Sequence, residues 1–125
     1  MADKAWKAEE RKKCRTLGGE RSGPTGRDTP DCDDSVHVAL EVKHYKKYVF
    51  LTKDWEQAVE NAAKVGKIPV LNVREKGRGG RDCVQLDLID FIDMGGVWDS
   101  PTELVRISWV EFVALYHNHF NDKEN

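Results

Sequence analysis

Strict alternation of apolar and polar side chains runs through Val36-His37-Val38-Ala39-Leu40-Glu41-Val42-Lys43, the clearest pattern in the chain. Successive residues of a strand point to opposite faces, so Val36, Val38, Leu40 and Val42 share one face, and His37, Ala39, Glu41 and Lys43 the other. Upstream, Trp6, Cys14 and Leu17 recur at helical spacing with Glu10 on their face, which predicts a helix over 3–17 ending at Gly18-Gly19. Residues 19–35, rich in Gly, Pro, Asp, Arg and Thr, read as a loop leading into a short strand and a tight turn. After the alternating strand comes a short apolar segment, Tyr48-Val49-Phe50-Leu51. A second helix is expected at about 54–65, capped by Thr52 or Asp54, burying Trp55, Ala58, Val59 and Ala62, and stopped by Gly66. Ile68–Val73 reads as a buried strand with Pro69 near its start, where a missing donor is tolerated. A flexible basic turn over 75–81 then enters a strand near 83–88. A last helix, about 108–120, carries Trp109, Phe112, Val113, Leu115, Tyr116 and Phe120. The order α-β-β-α-β-β-α indicates an α/β (α+β) protein, a mixed sheet with helices packed on it.

Length and composition narrow the class. A chain of 125 residues makes one domain, 1–125, with a modest core, and 39% hydrophobic against 34% charged residues fits a globular protein with a highly charged surface. No apolar run approaches about 18 residues, which excludes a membrane-spanning helix. The N-terminal residues lack an apolar signal core, so a cytoplasmic location is expected. Cys14, Cys32 and Cys83 are odd in number and widely spaced, as reduced thiols would be. The net charge of −2 is unevenly divided: residues 1–53 carry 12 Lys/Arg and 9 Asp/Glu, whereas 54–125 carry 8 and 13. Lys7, Arg11, Lys12, Lys13, Arg15, Arg21 and Arg27 make the first half basic, and such a face suits a phosphate backbone as well as plain solvation.

The candidate chemistry centres on Glu41 and Lys43, same-face neighbours on a strand whose other face is apolar. Phosphodiester cleavage needs a nucleophilic water and compensation of charge in the transition state, which a divalent ion held by hard oxygen ligands supplies. Asp31 joins Glu41 in the ligand role if their strands form a hairpin through Asp33-Asp34-Ser35, with the Val42 carbonyl as a further ligand. Lys43 orients the attacking water or stabilises developing negative charge. Asp28 is the alternative to Asp31 under a shifted hairpin. The plain alternative for Glu41 is a cross-strand salt bridge on an ordinary sheet face.

Glu10-Arg11, Gly18-Gly19-Glu20-Arg21, Pro30-Asp31 and Glu41-Val42-Lys43 occur in an order that resembles the PD-(D/E)XK nuclease superfamily. Within it, the order is similar to the Holliday-junction-resolvase-like proteins often encoded by phages. The resemblance covers roughly residues 6–90, leaving a C-terminal helical extension at about 100–125. It implies a restriction-endonuclease-like αβββαβ core, Mg²⁺ as cofactor with Mn²⁺ able to substitute, branched or junction DNA as partner, and a homodimer. It also implies that Glu10 joins Asp31 and Glu41 around the metal directly or through water, Glu9 being the competitor if the helix is rotated. Gln57 resembles a Gln that related nucleases use near the metal-bound water or scissile phosphate. Arg21, Arg27, Lys46 and Arg78 are candidates for DNA-phosphate contacts.

Other functions stay open on the residues alone: a restriction- or repair-type nuclease on the same scaffold, or a non-catalytic DNA-binding or interaction module. His117-Asn118-His119 is no metal site, because residues at i and i+2 on a helix cannot both face one ion. None of the three Gly-Gly segments precedes Gly-Lys-Ser/Thr, which excludes a P-loop.

Overall fold

A computed structural model describes residues 2–22 and 30–120, the side chains from residue 5 onward. Its elements run α1 (Ala2–Thr16), β1 (Val38–Tyr45), α2 (Thr52–Val65), β2 (Ile68–Glu75), β3 (Asp82–Asp87), α3 (Leu88–Asp93), β4 (Leu104–Ser108) and α4 (Trp109–Phe120). The four strands form one mixed sheet in the order β1-β2-β3-β4. β1 and β2 are parallel, joined by the α2 crossover, and the two later pairings are antiparallel. The expected class, a mixed sheet flanked by helices, is the one observed.

Alternation decides which helix covers which face. Val38, Leu40 and Val42 pack with Val70, Val84, Leu86 and Val105 against α1 and α4, where Cys14, Leu17, Phe112 and Tyr116 are buried. Leu71 and Val73 turn the other way, onto Ala58 of α2 with Trp55, Tyr48 and Phe50 around them. Of the late aromatics, Trp109 and Tyr116 are core, whereas Trp98 is 37% exposed.

Several boundaries differ from expectation. α3 and β4 were not anticipated; both are short, and α3 leaves Ile89 and Ile92 in solvent, which hides its period. On α2 the buried set is Asp54, Ala58, Asn61 and Ala62 rather than one including Val59, which is 40% exposed. Two polar residues replace the apolar ones that periodicity selects. The cap also differs: Leu51 stands at the N-cap without a side-chain bond, and Gly66 ends the helix at φ 68° with its N–H on Ala62 O.

Between α1 and α2 the described residues make one full strand, preceded by two very short extended segments around Arg21 and Cys32, rather than the three strands of an αβββαβ core. Ser22 N donates to Asp31 O and Asp33 N to Glu20 O, both at 2.8 Å, around an Arg21–Cys32 bridge. Asp31 N donates to Leu40 O at 2.8 Å, fastening the second segment to the free edge of β1. The turn is closed by Val36 N on Asp33 O at 3.2 Å and Ser35 N on Asp33 Oδ1 at 3.0 Å, so the hairpin through Asp33-Asp34-Ser35 is present. Gly18 leaves α1 at φ 86°, and Gly19 passes so close to Val36 that a Cβ there would collide with it.

This docking also corrects the thiol expectation. Cys14 and Cys32 form a disulfide across Cα atoms 5.4 Å apart, leaving Cys83 free. Spacing in sequence concealed the pair because only the packing of α1 on the hairpin brings them together.

Candidate functional site

The free edge of β1 is where buried carboxylates gather. Asp31 Oδ2 accepts a hydrogen bond of 2.6 Å from the backbone N–H of Val42, the residue between Glu41 and Lys43. Leu40 and Val42 thus both turn their backbone groups outward, and the Val42 carbonyl lies on this same edge, away from β2. Glu41, 6% exposed, projects toward α2 and accepts 2.8 Å from Asn61 Nδ2. Glu10, 3% exposed, comes from α1 and accepts 2.9 Å from Arg21 Nε. Lys43 is half-buried beside them.

All three carboxyls are displaced in the same direction. Burial raises Asp31 well above the ordinary aspartate range, and the charges of Glu41 and Glu10 raise it further, against the Val42 amide and Lys43. Burial raises Glu41, opposed by Asn61 and Lys43 and reinforced by Glu10 and Asp54. Burial likewise raises Glu10, opposed by Arg21, Lys43 and Lys7. The acids therefore act on one another, and a cation among them would relieve both burial and repulsion. Among the described residues no three His, Cys, Asp or Glu side chains are already grouped tightly enough to hold an ion. The donor set itself, carboxylate oxygens and a carbonyl, is that of a hard divalent ion.

The remaining sequence candidates are placed as follows. Arg21 is turned inward onto Glu10 and lies 5.9 Å from the Trp6 ring, so its guanidinium serves the carboxylate rather than open solvent. Gln57 is exposed on α2; the position beside Glu41 is taken by Asn61, four residues on. Lys46 and Arg78 are exposed, Arg78 in the β2–β3 turn. Arg27 and Asp28 lie outside the described residues. His44 turns to the α1 face, where its buried Nδ1 has no hydrogen-bond partner and burial lowers its pKa. His117 meets Thr16 O at 2.8 Å, and His119 packs edge-on against Phe120, both structural roles.

Asn61 and Asp54 escaped the sequence reading. Asp54 is 5% exposed and accepts 2.6 Å from the Tyr45 hydroxyl, whose pKa burial and this bond push far up. The available signal was polar residues at 54 and 61, i and i+7, framing Ala58 on one helix stripe.

The chain matches no protein-family model, and no curated protein matches it.

Proposed function

We propose that this protein is a Mg²⁺-dependent DNA endonuclease, resolvase-like in acting on branched DNA. The observation that carries the reading is the seat of the Asp31 carboxylate on the amide between Glu41 and Lys43, at 2.6 Å. It joins the Pro-Asp and Glu-x-Lys elements at one edge, with Glu10 arriving from α1. Asp31, Glu41 and the Val42 carbonyl would hold Mg²⁺ or Mn²⁺, with Glu10 directly or through water. When bound, such an ion lowers the pKa of a water and offsets charge on phosphate oxygens.

The chain's own groups supply the rest. Lys43, held beside the carboxylates, donates to the attacking water or to a phosphate oxygen that gains charge. Asn61 fixes one oxygen of Glu41 and leaves the other free to ligate. Arg21 orients Glu10 through its Nε and opposes the rise of its pKa. Gln57, exposed on α2, would meet a scissile phosphate or its water. Symmetric cutting of a junction calls for two such sites, hence a homodimer, and a DNA substrate puts its work in the cytoplasm.

Cleavage of a cruciform plasmid with Mg²⁺ tests this, comparing wild type with Glu41→Ala and Lys43→Ala. Both substitutions should lower cutting about 10²-fold or more, the scale of losing a preorganised charge-stabilising group. Cutting that persists in either variant would remove the site assignment. Equal cutting of linear duplex would remove the resolvase reading and favour a restriction- or repair-type enzyme. Mg²⁺ or Mn²⁺ should also raise Tm, since a ligand bound only to the folded state stabilises it.

A further inference from the structure

The basic residues of α1 whose side chains are described separate into two groups once folded. Lys13 is turned inward onto Glu9 and Asp82, so it adds nothing to the surface charge. Lys7, Arg11, Lys12 and Arg15 stand in solvent. Lys7, Arg11 and Arg15 follow at i, i+4 and i+8, one stripe advancing about 6 Å per step. Arg11, Lys12 and Arg15, with Ala8 and Thr16, line an open groove of about 540 Å³. Arg15 has Glu20 at 3.5 Å, but both side chains are about two-thirds exposed and such a pair holds weakly.

One end of the stripe reaches the site. Lys7 and Arg11 stand on α1 at i−3 and i+1 of Glu10, and Glu10 belongs to the carboxylate edge. The stripe itself contains no large apolar side chain: of the apolar face, Cys14 and Leu17 are buried, and Trp6, 37% exposed, lies beside the Arg21 guanidinium. That disfavours a membrane surface, where an amphipathic helix inserts apolar residues. Where β3 passes into α3, by contrast, Asp87, Asp90 and Asp93 bring three acidic residues together. The net charge of −2 thus hides a polarised surface.

We propose that the outward face of α1, through Lys7, Arg11, Lys12 and Arg15, binds the backbone phosphates of the DNA strand that enters the carboxylate edge. This deepens the nuclease reading and rests on it. It moves the main phosphate contacts from the loop arginines to a helix that also carries a site carboxylate.

Fluorescence anisotropy in EDTA, where no strand is cut, tests it with a labelled four-way junction and a matched duplex. Wild type is compared with Arg11→Ala/Lys12→Ala/Arg15→Ala across a salt series. The triple variant should bind at least tenfold more weakly, and its log–log salt slope on duplex should shrink by about 2.7, roughly 0.9 per lost phosphate contact. Lys53→Ala/Lys64→Ala, on α2, should change affinity less than twofold. If wild type binds and the triple variant binds within twofold of it, the α1 assignment is overturned while the nuclease reading stands. If wild type binds neither DNA, both fall. If the triple variant weakens binding but wild type never cuts with Mg²⁺, α1 keeps its role and the nuclease reading ends. Displacement of the probe by polyglutamate as effectively as by DNA of equal charge would overturn the choice of DNA as occupant.

Discussion

Two buried clusters of charge meet on α1, three residues apart, and they are built to different ends. At Lys13, 1% exposed, the chain supplies its own cation. Its Nζ donates to Asp82 at 2.6 and 2.7 Å and to Asn72 at 3.0 Å, pairs with Glu9 at 3.2 Å, and lies 4.4 Å from the Trp109 ring centre. Asn72 completes the cluster by donating to Asp82 and Cys83 O. At Glu10, Asp31 and Glu41 the cations are peripheral: Arg21 holds Glu10, and Lys43 counts for less at Asp31 than do the two neighbouring acids. A matched cluster fastens the fold, and on the proposed reading the mismatched one is where a cation would supply charge.

The contrast is tested hardest by opposite substitutions. Asp31→Asn should cost about a thousandfold in Mg²⁺-dependent cleavage, some 4 kcal/mol of transition-state stabilisation, while making the metal-free protein no less stable. Its amide oxygen still accepts from Val42, and a strained charge is gone. Lys13→Met should do the reverse, lowering unfolding free energy by about 3 kcal/mol because buried carboxylate and amide groups lose their cation. Urea unfolding of both variants in EDTA reads the difference. Stabilities that fall together would make the two clusters equivalent and dissolve the contrast.

The disulfide sharpens the comparison at one side. Cys14 follows Glu10 by one helical turn and Cys32 follows Asp31 directly, so a bond closing 18 residues ties the carriers of two carboxylates. Reduction, or Cys14→Ser/Cys32→Ser, should lower stability by about 3 kcal/mol through loop-closure entropy. It should also weaken Mn²⁺ binding at the edge, measured by calorimetry. The Lys13 cluster is held by α1, β2 and β3 without the hairpin, so unchanged metal affinity after reduction would show that the bridge serves the fold alone.

Legibility followed the reach of each interaction. The alternation at 36–43 exposed β1, its two faces and the Glu41–Lys43 pair, because a strand's period is local. The turn through Asp33-Asp34-Ser35 was readable from its residues, whereas the choice of Asp31 over Asp28 leaned on Pro30 and the family-like order. Glu10 was readable as a carboxylate on an otherwise apolar helix face. Asn61 and Asp54 were not, because their partners Glu41 and Tyr45 lie on another element and only the α2 crossover brings them together. The inward turn of Lys13 and Arg21 was hidden for the same reason: a basic residue in a basic run looks solvated until Asp82 or Glu10 is seen beside it. α3 and β4 are too short to show a period.

The smallest expected effect is the pH dependence of stability without metal. Asp31, Glu41 and Glu10 have folded pKa values raised above their ordinary 3.8 and 4.5. Below those values the carboxyls are protonated in both states and contribute nothing. As pH rises past them the unfolded chain ionises first and binds fewer protons, so the folded state loses stability until the raised pKa values are passed. His44 works oppositely, since its lowered pKa costs stability as pH falls below 6.5. Subtracting the Asp31→Asn profile from wild type cancels that histidine. The remaining difference should favour the variant increasingly from about pH 4 upward, the range in which an unfolded Asp ionises. Saturating Mg²⁺ should reverse the sign by stabilising only wild type, because the ion supplies the charge the edge lacks. A difference flat with pH in EDTA would mean that Asp31 is not strained by its neighbours, and the two clusters would then differ in composition but not in electrostatic state.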